Sequence, residues 1–73
     1  AIDLVLELPP KERWAIEIKR SSAPTLARGY YIGCDDVKAT RRLVVHTGNE
    51  SFALVDGVEA VTLADAVNAL QGA

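Results

Sequence analysis

Three side chains near the start of the chain have the types and spacing for metal-assisted chemistry on a phosphate ester. Thirteen residues separate Asp3 from Glu17, and Lys19 follows two positions after the glutamate. Two carboxylates converging from adjacent strands make a hard-oxygen site suited to Mg²⁺ or Mn²⁺, ions usually held by one or two carboxylates with water and substrate phosphate. A lysine beside them can stabilise charge on the scissile phosphate or orient the attacking water, while the ion lowers that water's pKa. The chemistry is phosphodiester hydrolysis, with Asp3 and Glu17 as metal ligands and Asp3, Glu17 and Lys19 as catalytic groups. The plainer reading of the same residues is a solvated sheet face with a cross-strand ion pair.

The elements decide whether the three can meet. Residues 2–8 alternate with period two, Ile2, Leu4, Leu6 and Leu8 on one face and Asp3, Val5 and Glu7 on the other, which predicts a half-buried strand. Pro9-Pro10 ends it, since proline cannot donate to a ladder, and alternation resumes from Arg13 to Lys19. The two runs predict an antiparallel hairpin. Asp3 shares a face with Glu17 and Lys19 only if paired residue numbers sum to an even value, 20 or 22, which means a loop of three or five residues. An odd sum would mix polar and apolar side chains on both faces, so the hydrophobic pattern favours the clustered arrangement.

Further along, Ser22-Ala23-Pro24 predicts a helix start. Leu26, Tyr30, Cys34 and Val37 form its inner stripe, widened by Ala27 and Tyr31, and Gly29 and Gly33 allow close approach to a sheet. Asp35-Asp36 oppose the helix dipole and place its end near Val37, or require tertiary contacts to hold it. Residues 42–46 read as a central strand and 47–51 as a turn. Residues 52–55 and 58–61 read as short edge strands around Asp56-Gly57, or either as plain loop. Thr62 caps a last helix with Leu63, Ala66, Val67 and Leu70 on one face, and it stops at Gly72. The fold class is α/β: a small mixed sheet with a β-hairpin, a helix, further strands and a C-terminal helix.

Arg20, Arg28, Lys38, Arg41 and Arg42 are candidates to track a nucleic-acid backbone, against the alternative of a solubilising rim. His46 has no second His or Cys at ligand spacing and reads as structural or exposed. Cys34 reads as a small core residue. At least one of Tyr30 and Tyr31 belongs to the core, and Trp14 to the core or an interface.

The chain of 73 residues forms one domain, residues 1–73, with a net charge of −2 and a single cysteine. At this size folding buries only about 60% of the unfolded chain's surface, so the core is thin and a homo-oligomer is expected. No apolar run is long enough to span a bilayer and no secretory leader is visible, which predicts a cytoplasmic protein without membrane partners. The sequence begins inside an apolar alternation, without an initiator Met, and reads as a piece of a longer protein.

Asp3, its thirteen-residue spacer and Glu17-Ile18-Lys19 resemble the D…(D/E)xK signature of the PD-(D/E)XK nuclease-like superfamily. The predicted order of strand, turn, strand ending in ExK, helix and strand matches that superfamily's core, here truncated. More narrowly, "IEIKRSSAPTLARGYYIGCDDVKATRRLVVHTG" followed by "GVEAVTLADAVNAL" is similar to the C-terminal domain of unknown function of bacterial P-loop ATPases of the AAA type. That resemblance implies a nuclease-like domain attached to the rest of a parent ATPase, with possible nucleic-acid partners and a Mg²⁺- or Mn²⁺-dependent site. G-x-x-x-x-G-K-[ST] is absent, so ATP binding is expected elsewhere in the parent. The alternative is a catalytically inactive interaction or oligomerisation module of the same ATPase.

Overall fold

The computed structural model describes residues 2–73. Strands β1 (Leu4–Leu8) and β2 (Glu12–Ile18) form the expected hairpin. Leu4 pairs with Ile16 and Leu8 with Glu12, so residue numbers sum to 20, the loop has three residues, and Asp3 falls in line with Glu17. Helix α1 (Arg28–Val37) carries the chain into β3 (Arg41–His46), parallel to β2. The short β4 (Phe52–Ala53) and a single 3-10 turn (Val55–Gly57) lead to β5 (Val58–Thr62), parallel to β3, and α2 (Leu63–Gln71) closes the chain. The sheet order is β1-β2-β3-β5-β4.

One helix covers each face, giving three layers. Trp14, Ile16, Leu43 and Val61 pack with Ala66 of α2, while Ala15, Val44 and Val58 pack with Tyr30 and Cys34 of α1. The interior position of β2 explains why residues 14 to 17 are all buried despite their alternating chemistry. Tyr30 lies over the β2/β3 seam, its hydroxyl 3.1 Å from the Ala15 carbonyl and 3.2 Å from that of Leu43. Burial first, then Cys34 and the negative charge of Glu17, pushes the Tyr30 hydroxyl far above its ordinary pKa. Asp35 remains in the last turn of α1 because Arg42 binds it at 2.7 Å, the tertiary contact its unfavourable dipole position requires.

Several expectations are corrected. The first helix begins at Arg28 rather than at Pro24. Ala23 N–H bonds Ser21 Oγ at 3.1 Å, and Pro24 is buried while Leu26 reaches the core from a non-helical segment, so packing is achieved without a helix there. β5 is interior and β4 is the edge, because Val58, Ala60 and Val61 are buried between β3 and β4. In α2 only Ala66 is fully buried, with Ala69 packed beside it; Leu63, Val67 and Leu70 lie to one side and are exposed. The two alanines set that orientation by letting the helix lie close to the sheet. Gly29 has open space around it and makes no close approach, whereas a Cβ at Gly33 would lie 2.9 Å from Ile2 Cδ1. Ile2 consequently packs in the α1 layer, not with Leu6 and Leu8 in the α2 layer. Among the described residues no helix is long and apolar enough to cross a membrane.

Candidate functional site

Glu17 sits on β2 in the α1-facing layer, beside Val44 in the β3 register, and is only 3% exposed. A buried carboxylate is costly unless paired. Lys19, two residues on and on the same face, brings Nζ to 3.0 Å from Glu17 Oε2 and keeps 39% of its side chain in solvent. The pair therefore has one member inside the fold and one at its mouth, at the carboxyl-terminal ends of the parallel strands. That is where open α/β sheets commonly bind ligands.

Asp3 is exposed and lies just before β1. Its N–H bonds the Ile16 carbonyl at 3.0 Å, one residue off the hairpin register, and its Oδ2 accepts the Ile18 N–H at 2.8 Å. This brace on the β2 backbone accompanies the switch of Ile2 to the opposite layer. Asp3 is thus in line with Glu17 but turned along the strand toward residue 18. Among the described residues no group of three or more His, Cys, Asp and Glu side chains is placed to hold a metal.

The basic residues divide between opposite ends of the sheet. Because α1 returns the chain from the end of β2 to the start of β3, Arg28 lies toward the same end as Lys19 and Arg20. Arg41 pairs with Trp14, five residues before Lys19, a separation of about 16 Å along the strand. Its guanidinium binds Glu59 at 2.9 and 3.1 Å and stacks 4.7 Å from the Trp14 ring centroid. The Glu59 hydrogen bond raises the Arg41 pKa and lowers that of Glu59. Arg42 is bound to Asp35, and Lys38 terminates α1 in a left-handed conformation with φ 57°. No single strip joins all five cations.

His46 was not distinguished by sequence spacing. It is 4% exposed and follows Val44 by two residues on the α1-facing side, next to Lys19 as the β2/β3 register continues. The signal that could have found it is this parity across two parallel strands, which requires knowing that β2 and β3 pair.

The architecture defines a small mixed α/β domain: three parallel strands flanked by an antiparallel strand on each side, with a polar site at the end of β2. The chain belongs to the family described as Domain of unknown function (DUF4143), whose model matches residues 1–66. No curated protein and no solved structure matches it significantly.

Proposed function

We propose that this chain is the nuclease-like C-terminal domain of a bacterial P-loop ATPase, acting on or binding nucleic acid at the Asp3, Glu17 and Lys19 site. The observation that supports this reading is the buried Glu17 carboxylate held against a half-exposed lysine at the carboxyl-terminal end of a parallel strand. Asp3 and Glu17 would hold Mg²⁺ or Mn²⁺, which when bound supplies Lewis acidity at the phosphate and a lower pKa for water. Lys19 donates to a non-bridging phosphate oxygen and stabilises the charge that grows as water oxygen bonds to phosphorus and the bridging P–O bond breaks. The attacking water gives up a proton to solvent, and the departing oxygen leaves with its electron pair and takes a proton from solvent. Arg20 and Arg28, at the same end, hold the flanking backbone. The ATP-binding part lies elsewhere in the parent chain.

The test is a thermal-melt series with millimolar Mn²⁺. An ion that binds only the folded chain raises the melting temperature. Asp3→Asn and Glu17→Gln should each abolish that rise, and Lys19→Ala should preserve it while removing oligonucleotide cleavage by the full-length protein. No rise in the wild type, or the same rise in both carboxylate variants, would remove the metal site.

A second reading, an inactive interaction or oligomerisation module, is favoured by two observations. Lys19 and Asp3 already have internal partners, and α2 presents Leu63, Val67 and Leu70 to solvent.

A further inference from the structure

The ends of β2 and β3 carry a second feature that the Glu17–Lys19 pair leaves unused. A cleft of about 350 Å³ is lined by Ser22, His46, Gly48, Asn49, Glu50 and Phe52. His46 forms its wall. Its Nδ1 accepts the Gly48 N–H at 2.9 Å, so the neutral ring carries its proton on Nε2. That Nε2 is buried and has no hydrogen-bond partner among the described residues. Buried donors are rarely left unpaired, and each such group calls for an explanation. Gly48 belongs to the same arrangement, since a Cβ there would lie 3.0 Å from His46 Nδ1 and 3.3 Å from Ser22 Cβ. On its other side the His46 ring tilts against Phe52, with centroids 5.3 Å apart, and Phe52 is 41% exposed.

We propose that this cleft takes an unpaired nucleobase of the strand whose phosphate lies at Lys19, an inference that rests on the nucleic-acid reading above. Phe52 supplies a stacking face, as aromatic side chains do for single-stranded nucleic acid. Asn49 and Glu50 match the donor and acceptor edge of a heterocycle, and His46 Nε2–H adds a donor for a ring nitrogen or carbonyl oxygen. A phosphate does not fit, because the lining holds a carboxylate and no cation. A plain hydrocarbon ring would leave the amide, the carboxylate and the histidine N–H unpaired. A base inside a duplex cannot reach the cleft, so the substrate class is single-stranded or locally unpaired nucleic acid. The loop from Thr47 to Ser51 is tied to the segment that follows β2 by Thr47 N–H to the Ser21 carbonyl at 3.2 Å, which holds the cleft beside the Lys19 end of the sheet.

The probes are adenosine 5′-monophosphate and ribose 5-phosphate, which lacks the base, each titrated into ¹⁵N-labelled protein with and without Mn²⁺. Adenosine 5′-monophosphate should shift the amide signals of residues 48–52 and the His46 Nε2 signal, and ribose 5-phosphate should not. Phe52→Leu should weaken adenosine 5′-monophosphate binding by about fivefold or more, the scale of one lost base stack, with ribose 5-phosphate unaffected. Asn49→Ala, an exposed loop change, gives a second measurement if Phe52→Leu disturbs the edge strand. Equal binding of the two probes, or wild-type affinity in both variants, overturns the inference while leaving the phosphate site standing. Base-dependent shifts with no response to Mn²⁺ or ribose 5-phosphate support the cleft and remove the metal site. Binding of neither probe overturns the cleft.

Discussion

Lys19→Met takes one partner from the buried Glu17 carboxylate, whereas Glu17→Gln releases Lys19 to water, and the two changes should therefore differ in cost. Breaking a fully buried ion pair by deleting one partner typically costs about 3–5 kcal/mol, because an uncompensated charge remains inside. Here Lys19 keeps 39% of its side chain exposed, so solvent already screens the pair. Lys19 is also not the only group that Glu17 engages. The expected loss for Lys19→Met is about 1–2 kcal/mol, between the surface and buried limits. Glu17→Gln keeps the side-chain volume and removes the charge, and Lys19 can extend its ammonium into water, so about 0–1 kcal/mol is expected. Urea denaturation resolves the difference: with a slope of about 1 kcal/mol per molar for a chain this small, Lys19→Met lowers the midpoint by about 1–2 M. The double variant should resemble Glu17→Gln alone, because no buried carboxylate charge is left to lose a partner. A Glu17→Gln loss as large as that of Lys19→Met would show that the carboxylate's charge is held mainly by other groups, and the account of this pair would fail.

Two further expectations concern charges away from the pair. Neutralising Arg20 and Arg28 should weaken oligonucleotide binding and flatten its salt dependence, while neutralising Arg41 and Arg42 should mainly lower stability; gel-shift titrations at several salt concentrations compare them. Glu59 is held below its ordinary pKa by the Arg41 hydrogen bond, so its contribution is present above the ordinary glutamate range and is lost as pH falls through the lowered value. With 43% of the Glu59 side chain exposed, that contribution is about 0.5 kcal/mol, and Glu59→Gln should lower stability by that amount at neutral pH and flatten the acid limb of the stability–pH curve, the two proteins converging at low pH.

The hairpin was legible in the sequence because side-chain alternation has a strict period of two and only an even register keeps Leu4, Leu6, Trp14 and Ile16 together. The same logic brought Glu17 and Lys19 to one face. It failed one step earlier, at Ile2, where the Asp3 backbone hydrogen bond departs from the register and the small Gly33 admits the isoleucine to the opposite layer. Proline at residue 24 carried a helix-start signal that a non-helical segment also satisfies. In α2, hydrophobicity selected the leucines and valine as the inner face, while close contact with the sheet selected alanines. His46 and the split of the basic residues depend on the parallel pairing of β2 with β3, a non-local arrangement that no short window of sequence contains.

That pairing has a consequence for how the carboxylate comes to be dry. The β1–β2 hairpin brings together residues close in sequence, but by itself it covers only one flank of Glu17. The other flank is closed by β3, which reaches β2 after the crossover of residues 19–40, and α1 within that crossover lies on the same face, close enough for its Tyr30 to feel the Glu17 charge. Bringing distant segments together costs loop-closure entropy before any contact compensates for it. Desolvation of Glu17 is therefore a tertiary event: the local hairpin aligns the group, and only the completed crossover gives it the environment that distinguishes it from a glutamate on any other strand.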